Sequence, residues 1–117
     1  MNHIKSILAA SAVLLLAACA QKPATTYYWG DYQSSIYRYY QNTSSSEKEI
    51  ANLNKVIQEA HARNKPVAPG LHAQLGLLYA NSGHSELAFQ QFTAEKTAFP
   101  ESASYMDFLM RNKQSAK

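Results

Sequence analysis

PGLHAQLGLLYANSGHSELAFQQFTAEKTAFPES, running from Pro69 to Ser102, decides the fold. It divides at Gly83 into two stretches, and each is apolar at helical rather than alternating spacing. Leu75 and Tyr79 lie four apart in the first stretch, Ala88 and Phe92 four apart in the second. Residues four apart share one face of a helix. Gly83 supplies the turn between the two helices, and Pro100 ends the second because it lacks an amide donor and clashes with the turn before it. Gly76 and Ala88 are small enough to let two helix backbones approach, and Leu75, Tyr79 and Phe92 are large enough to fill the space beside them. The expected unit is a helical hairpin.

The order His72-x2-Leu75-Gly76-x2-Tyr79, then Ala88-x3-Phe92, then Pro100, resembles a tetratricopeptide repeat, a helix-turn-helix unit of 34 residues. His72 stands where that family has tryptophan, which weakens packing toward the preceding helix. Glu95 stands where it has a small residue, and is expected at a solvated edge. The resemblance implies that the first helix of each hairpin lines a concave groove, which places Ala73, Leu77, Ala80 and Asn81 there. Of the lysine and asparagine set that grips a peptide carboxylate in chaperone-binding members, only Asn81 is present. The groove is therefore expected to be small and apolar, suited to a helix or an extended apolar segment. A single repeat cannot bury its own apolar face. Two readings of the groove stand: open to a partner, or filled by the chain's own termini.

Working upstream, Ile50, Leu53, Val56, Ile57 and Ala60 fall at helical spacing between Glu47 and Asn64, with the charges expected on the other face. Ser46 and Glu49 match a capping box, and NKPVAPG (Asn64–Gly70) ends the helix with two prolines and a glycine. Leu53, Ile57 and Ala60 repeat the spacing of Ala88, Phe92 and Glu95, the mark of a degenerate first repeat. Before them, YYWGDYQSSIYRYY (Tyr27–Tyr40) holds six of the eight tyrosines and the one tryptophan. Tyr28, Tyr32, Ile36 and Tyr40, with Tyr39 beside them, are expected on one helix face, with Asp31 as its cap and Gly30 as the turn before it. Tyr27, Trp29 and Tyr37 are left over. Both a core face and a docking surface fit such a block, because Tyr and Trp are enriched at interface hot spots. Downstream, residues 102–112 read as a terminal capping helix with Tyr105, Met106, Leu109 and Met110 inward, and 113–117 as a frayed tail. The expected fold is all-α: five helices in stacked, tetratricopeptide-like hairpins over residues 27–112.

The N-terminus carries a different signal. Lys5 sits in a short head, an apolar run follows from Ile7 to Ala18, and Leu16-Ala17-Ala18-Cys19 closes it with the one cysteine of the chain. The run is shorter than the roughly 20 residues a membrane span needs, and its layout is that of a secretory signal peptide over residues 1–18. Leu-Ala-Ala-Cys resembles a bacterial lipoprotein signal, which implies a diacylglyceryl group and an N-acyl chain on Cys19. A lone cysteine in a secreted chain makes no internal disulfide, and acylation gives it a purpose. Ala20 stands where an aspartate would resemble an inner-membrane retention signal, which favours the outer membrane and its periplasmic face. Residues 19–26 read as a lipidated tether.

Loss of Lys5 with the leader takes one of eleven basic side chains and leaves ten against eight acidic ones, a formal +2. The basic residues are scattered, so the clustered footprint of a nucleic-acid binder is missing. His61, His72 and His84 lie on different elements with no carboxylate at ligand spacing. No Gly-x-Ser-x-Gly turn or glycine-rich phosphate loop occurs. The expectation is a protein without enzymatic activity, metal, cofactor or small-molecule substrate.

Tyr27-Tyr28-Trp29-Gly30, Tyr37-Arg38-Tyr39-Tyr40, Pro69-Gly70-Leu71 and Phe99-Pro100-Glu101-Ser102 together resemble a family of small proteobacterial lipoproteins over residues 19–112. In that family the gene often lies beside two other lipoproteins, one resembling the curli secretion channel. That neighbourhood implies membership of an outer-membrane lipoprotein assembly. The acylation signal, the repeat and the surplus aromatics add the expectation of an accessory or scaffold lipoprotein that binds another envelope protein, a curli-secretion-channel-like lipoprotein among the candidates. The contact residues expected are Tyr27, Trp29 and Tyr37 on the aromatic segment and Ala73, Leu77, Ala80 and Asn81 on the groove. The other reading is a peptidoglycan- or glycan-binding lipoprotein in which Trp29 and nearby tyrosines stack on sugar rings.

Overall fold

A computed structural model describes residues 1–18 and 26–115, with side-chain surroundings for 1–13 and 26–112. Cys19 and most of the tether expected over 19–26 lie outside the described residues. The described chain is all-helical: α1 (Asn2–Ala18), α2 (Tyr32–Tyr40), α3 (Ser46–Ala62), α4 (Leu71–Asn81), α5 (Ser85–Ala98), a 3-10 turn (Pro100–Ser102) and α6 (Ala103–Ser115). Residues 1–13 are exposed throughout. No helix among the described residues is long and apolar enough to cross a membrane.

From α2 onward each helix packs on the next in chain order. One cluster joins Tyr32 of α2, Leu53 and Val56 of α3, and Ala68, Leu71, Leu75 and Leu78 at α4. Leu53, Leu71, Leu75 and Leu78 have no exposed surface, and each contributes about 2 kcal/mol of hydrophobic stabilisation. A second cluster joins Ala88 and Phe92 of α5 to Met106 and Leu109 of α6. Gly76 brings α4 and α5 together. A Cβ there would lie 2.5 Å from Phe92 Cε1, so the residue facing this glycine most closely is Phe92.

The boundaries have local causes. Ser45 caps α3, its hydroxyl accepting from the Lys48 amide at 3.2 Å. The cap thus lies one residue before the expected Ser46, so the third position falls on Lys48 and the capping box with Glu49 does not form. At the other end of α3, Asn64 takes a φ of 53° and the Lys65 amide donates to the Ala60 carbonyl at 2.9 Å. Asn tolerates that left-handed turn where most residues do not. Gly70 caps α4 at φ 90°, and a Cβ on it would lie 2.6 Å from the Tyr32 hydroxyl. Glycine is required there for backbone and space alike.

Several expected faces turn differently. α2 begins at Tyr32, so Tyr28 is not helical; its amide donates to the Pro66 carbonyl at 2.8 Å in an isolated parallel bridge to Val67. Asp31 precedes α2 without a side-chain cap, because its carboxylate is taken by Arg38 at 2.6 Å. Tyr40 points outward, Ser35 is buried on α2 beside Tyr32, and on α6 Tyr105 is exposed while Met106 and Leu109 are buried.

Candidate docking surface

Two contacts set α2 alongside α4 in the same direction. At their N-terminal ends the Tyr32 hydroxyl lies against Gly70. At their C-terminal ends Asn81 Nδ2 donates to the Tyr39 hydroxyl at 3.0 Å. Against them, α2 leaves Tyr37 (67%) and Tyr40 (73%) in solvent, and α6 leaves Tyr105 (56%) and Phe108 (47%). The last two rings stack with centroids 6.3 Å apart. α4 has no charged side chain. The charged residue of α2, Arg38, is held by two carboxylates.

The residues singled out from the sequence divide between surface and interior. Tyr37 and Asn81 are exposed. Ala73, Leu77 and Ala80 are half-buried against the cluster of Ala88, Phe92, Met106 and Leu109. Tyr27 and Trp29 are half-buried too. The Tyr27 ring meets Phe99 edge-on at 5.8 Å, and the Trp29 indole stacks on Tyr32 at 6.0 Å. Cys19 falls outside the described residues. Tyr40, Tyr105 and Phe108 were not singled out as contact residues. Helical spacing names which residues share a stripe but not how the helix is rolled against its neighbours.

Beneath this surface lies a polar network that fixes α2 on α3. Glu49 of α3 is fully buried, against the expectation that the charges of this helix face outward. It accepts from Arg38 Nε at 2.9 Å, from Arg38 Nη2 at 3.2 Å and from the Ser35 hydroxyl. Burial pushes its pKa up, but the bonds from Arg38 and Ser35 outweigh burial and hold it at about 2. The same two carboxylates keep Arg38 protonated more firmly than usual. A charge buried this deeply persists only when its partners are in place.

Glu95 is buried as well, which overturns its expected place at a solvated edge. It reaches from α5 to the start of α4, accepting from the Gly70 amide at 2.7 Å and the Ala73 amide at 3.4 Å. A carboxylate is favoured there because the amides at a helix start have no partners within the helix. Burial, then the nearby Glu95 carboxylate, push the Tyr32 phenol up to about 12.

The histidines stay apart. His61 is exposed on α3, His72 Nδ1 lies 2.7 Å from Gln91 Oε1, and His84 opens α5 with its ring edge-on to Tyr79. Among the described residues no three His, Cys, Asp or Glu side chains are grouped to hold a metal ion. One small depression of about 200 Å³ is lined by Asp31, Asn52, Lys55, Val56 and Glu59. Its charged groups are already engaged, Asp31 by Arg38 and Glu59 by the Tyr28 hydroxyl and Lys55.

The chain belongs to the family described as a domain of unknown function, DUF4810, whose model matches residues 26–109. No curated protein and no solved structure matches it.

Proposed function

We propose that this member of the family is a lipid-anchored envelope protein that holds a partner protein rather than catalysing a reaction. Residues 1–18 serve as a lipoprotein leader, and Cys19 carries the diacylglyceryl and N-acyl chains. Two or more acyl chains are what stable anchoring requires. Ala20 sends the mature chain to the periplasmic face of the outer membrane. The body works as a short tetratricopeptide-like stack, with α2 and α3 as a degenerate first hairpin, α4 and α5 as the second, and α6 as the cap. The shared direction of α2 and α4 supports that reading.

One observation carries the function: Tyr37 and Tyr40 on α2, and Tyr105 and Phe108 on α6, stand in solvent. Terminal elements of a helical stack normally turn a polar face outward. Exposed aromatics are the residues that anchor protein interfaces. The partner is another envelope lipoprotein, the curli-secretion-channel-like one first among candidates.

The test is a photo-crosslinking residue at position 40 of the lipidated protein in native membranes. A single envelope-protein adduct is expected, and Tyr37→Ala with Tyr105→Ala should abolish it. Both residues are exposed, so stability should change by less than about 0.5 kcal/mol each. Adducts to peptidoglycan alone, or an adduct indifferent to both substitutions, would overturn the assignment.

A further inference from the structure

We propose that the end of the body where the chain enters at Tyr27 rests on an anionic phospholipid surface, with Arg63 and Lys65 against lipid phosphates and the Trp29 indole at headgroup depth. This rests on the acylation of Cys19. Tyr27 is pinned by Phe99 at 5.8 Å, and the Tyr28 amide by the Pro66 carbonyl at 2.8 Å. The chain therefore enters at the end formed by the α3–α4 connection and the close of α5. Seven residues, Ala20 to Thr26, separate Cys19 from Tyr27. Fully extended they reach roughly 25 Å, about the length of α3 at about 1.5 Å per residue. A lipid on Cys19 thus holds this end within roughly 25 Å of the bilayer.

The composition of that end suits the headgroup layer. His61, Arg63, Asn64, Lys65 and Pro66 are all exposed, with no acid among them. The Arg63 guanidinium sits 5.1 Å over the Tyr28 ring. Two acids stand at the same end: Glu59, whose side chain is 38% exposed and whose carboxylate accepts from the Tyr28 hydroxyl at 2.7 Å, and the exposed Glu101. Trp29 follows Tyr28 in the chain and is half-buried, stacked on Tyr32, and Trp and Tyr favour membrane–water interfaces. Two basic side chains bind an anionic surface weakly by themselves. A short tether raises their effective concentration at the surface enough to make the contact persistent.

Trp29 is the one tryptophan of the chain, so intrinsic fluorescence reports it alone. The lipidated full chain is reconstituted into phosphatidylethanolamine–phosphatidylglycerol vesicles with and without a headgroup-nitroxide lipid. At low salt the nitroxide should lower Trp29 emission about twofold, and the loss should shrink in pure phosphatidylcholine or with Arg63→Glu and Lys65→Glu together. Far-UV circular dichroism checks that the double variant stays folded. Protein that floats with the vesicles while Trp29 is unquenched, or equally quenched in every arm, overturns this orientation and leaves the anchor standing. Protein that does not float overturns the anchor and this proposal with it.

Discussion

At the scale of single residues the molecule depends on two acids that it buries. Glu49 is held at about 2 by Arg38 and Ser35, whereas in the unfolded chain it returns to the ordinary carboxylate value. A depressed folded-state pKa adds stability above the unfolded value, and that stability disappears as pH falls toward the folded one. Urea midpoints should therefore fall steeply between about pH 4.5 and 2, with on the order of 3 kcal/mol at stake. Glu49→Gln should flatten this acid limb and cost about 3 kcal/mol at pH 7, because Arg38 loses its buried partner. An acid limb unchanged in the variant would mean that other carboxylates cause it. Neither acid is legible in the sequence. Glu49 lies between Lys48 and Ile50 and Glu95 between Ala94 and Lys96, so each is flanked on one side by a charge and looks like a solvated position. The groups that bury them come from α2 and from the start of α4, and no local spacing reports those partners.

At the scale of elements the reading from sequence holds far better. All five helices of the body were expected, since apolar spacing of three and four residues survives any tertiary arrangement. Roll and boundary survived less well: the cap of α3 lies one residue early, and Tyr40 and Tyr105 face solvent. The strongest sequence signal, Gly76 with its partners on the next helix, also marks a close approach between elements. Gly76→Ala would place a methyl 2.5 Å from Phe92 Cε1, and the ring is fully buried. Alanine adds about 1 kcal/mol of helix propensity, but overpacking a closed site costs about 1–3 kcal/mol. The variant should lower the thermal midpoint, and adding Phe92→Leu should restore part of the loss. A midpoint raised by Gly76→Ala would show that α4 and α5 can part without penalty. The docking surface was legible only as composition. The sequence shows more aromatic rings than one stripe can bury, but which rings remain outside depends on how α2 and α6 are rolled.

For the molecule as a whole, the question is what makes two apolar clusters behave as one body. One cluster spans α2, α3 and α4, and the other spans α5 and α6; Tyr79 packs against both. Its hydroxyl accepts from Asn54 Nδ2 at 3.1 Å, and its ring meets His84 edge-on with centroids 6.2 Å apart. A stack of helical hairpins is a chain of neighbours, so its cooperativity depends on interfaces rather than on a single centre. Removing the ring by Tyr79→Ala should cost about 3–5 kcal/mol, as for other large aromatic deletions. It should also separate two transitions that coincide in the native chain. Trp29 fluorescence reports the first cluster, far-UV circular dichroism reports all helices, and coincident midpoints are the mark of two-state unfolding. Tyr79→Phe keeps the ring and loses only the hydroxyl bond, at about 1 kcal/mol, so its two midpoints should stay together. If Tyr79→Ala also unfolds with one midpoint by both probes, the coupling runs through the other α4 residues that meet the second cluster, Ala73, Leu77 and Ala80, and through Gly76 on Phe92. Tyr79 would then be an ordinary core residue. If the midpoints part, this tyrosine couples the cluster of α2, α3 and α4 to the cluster of α5 and α6.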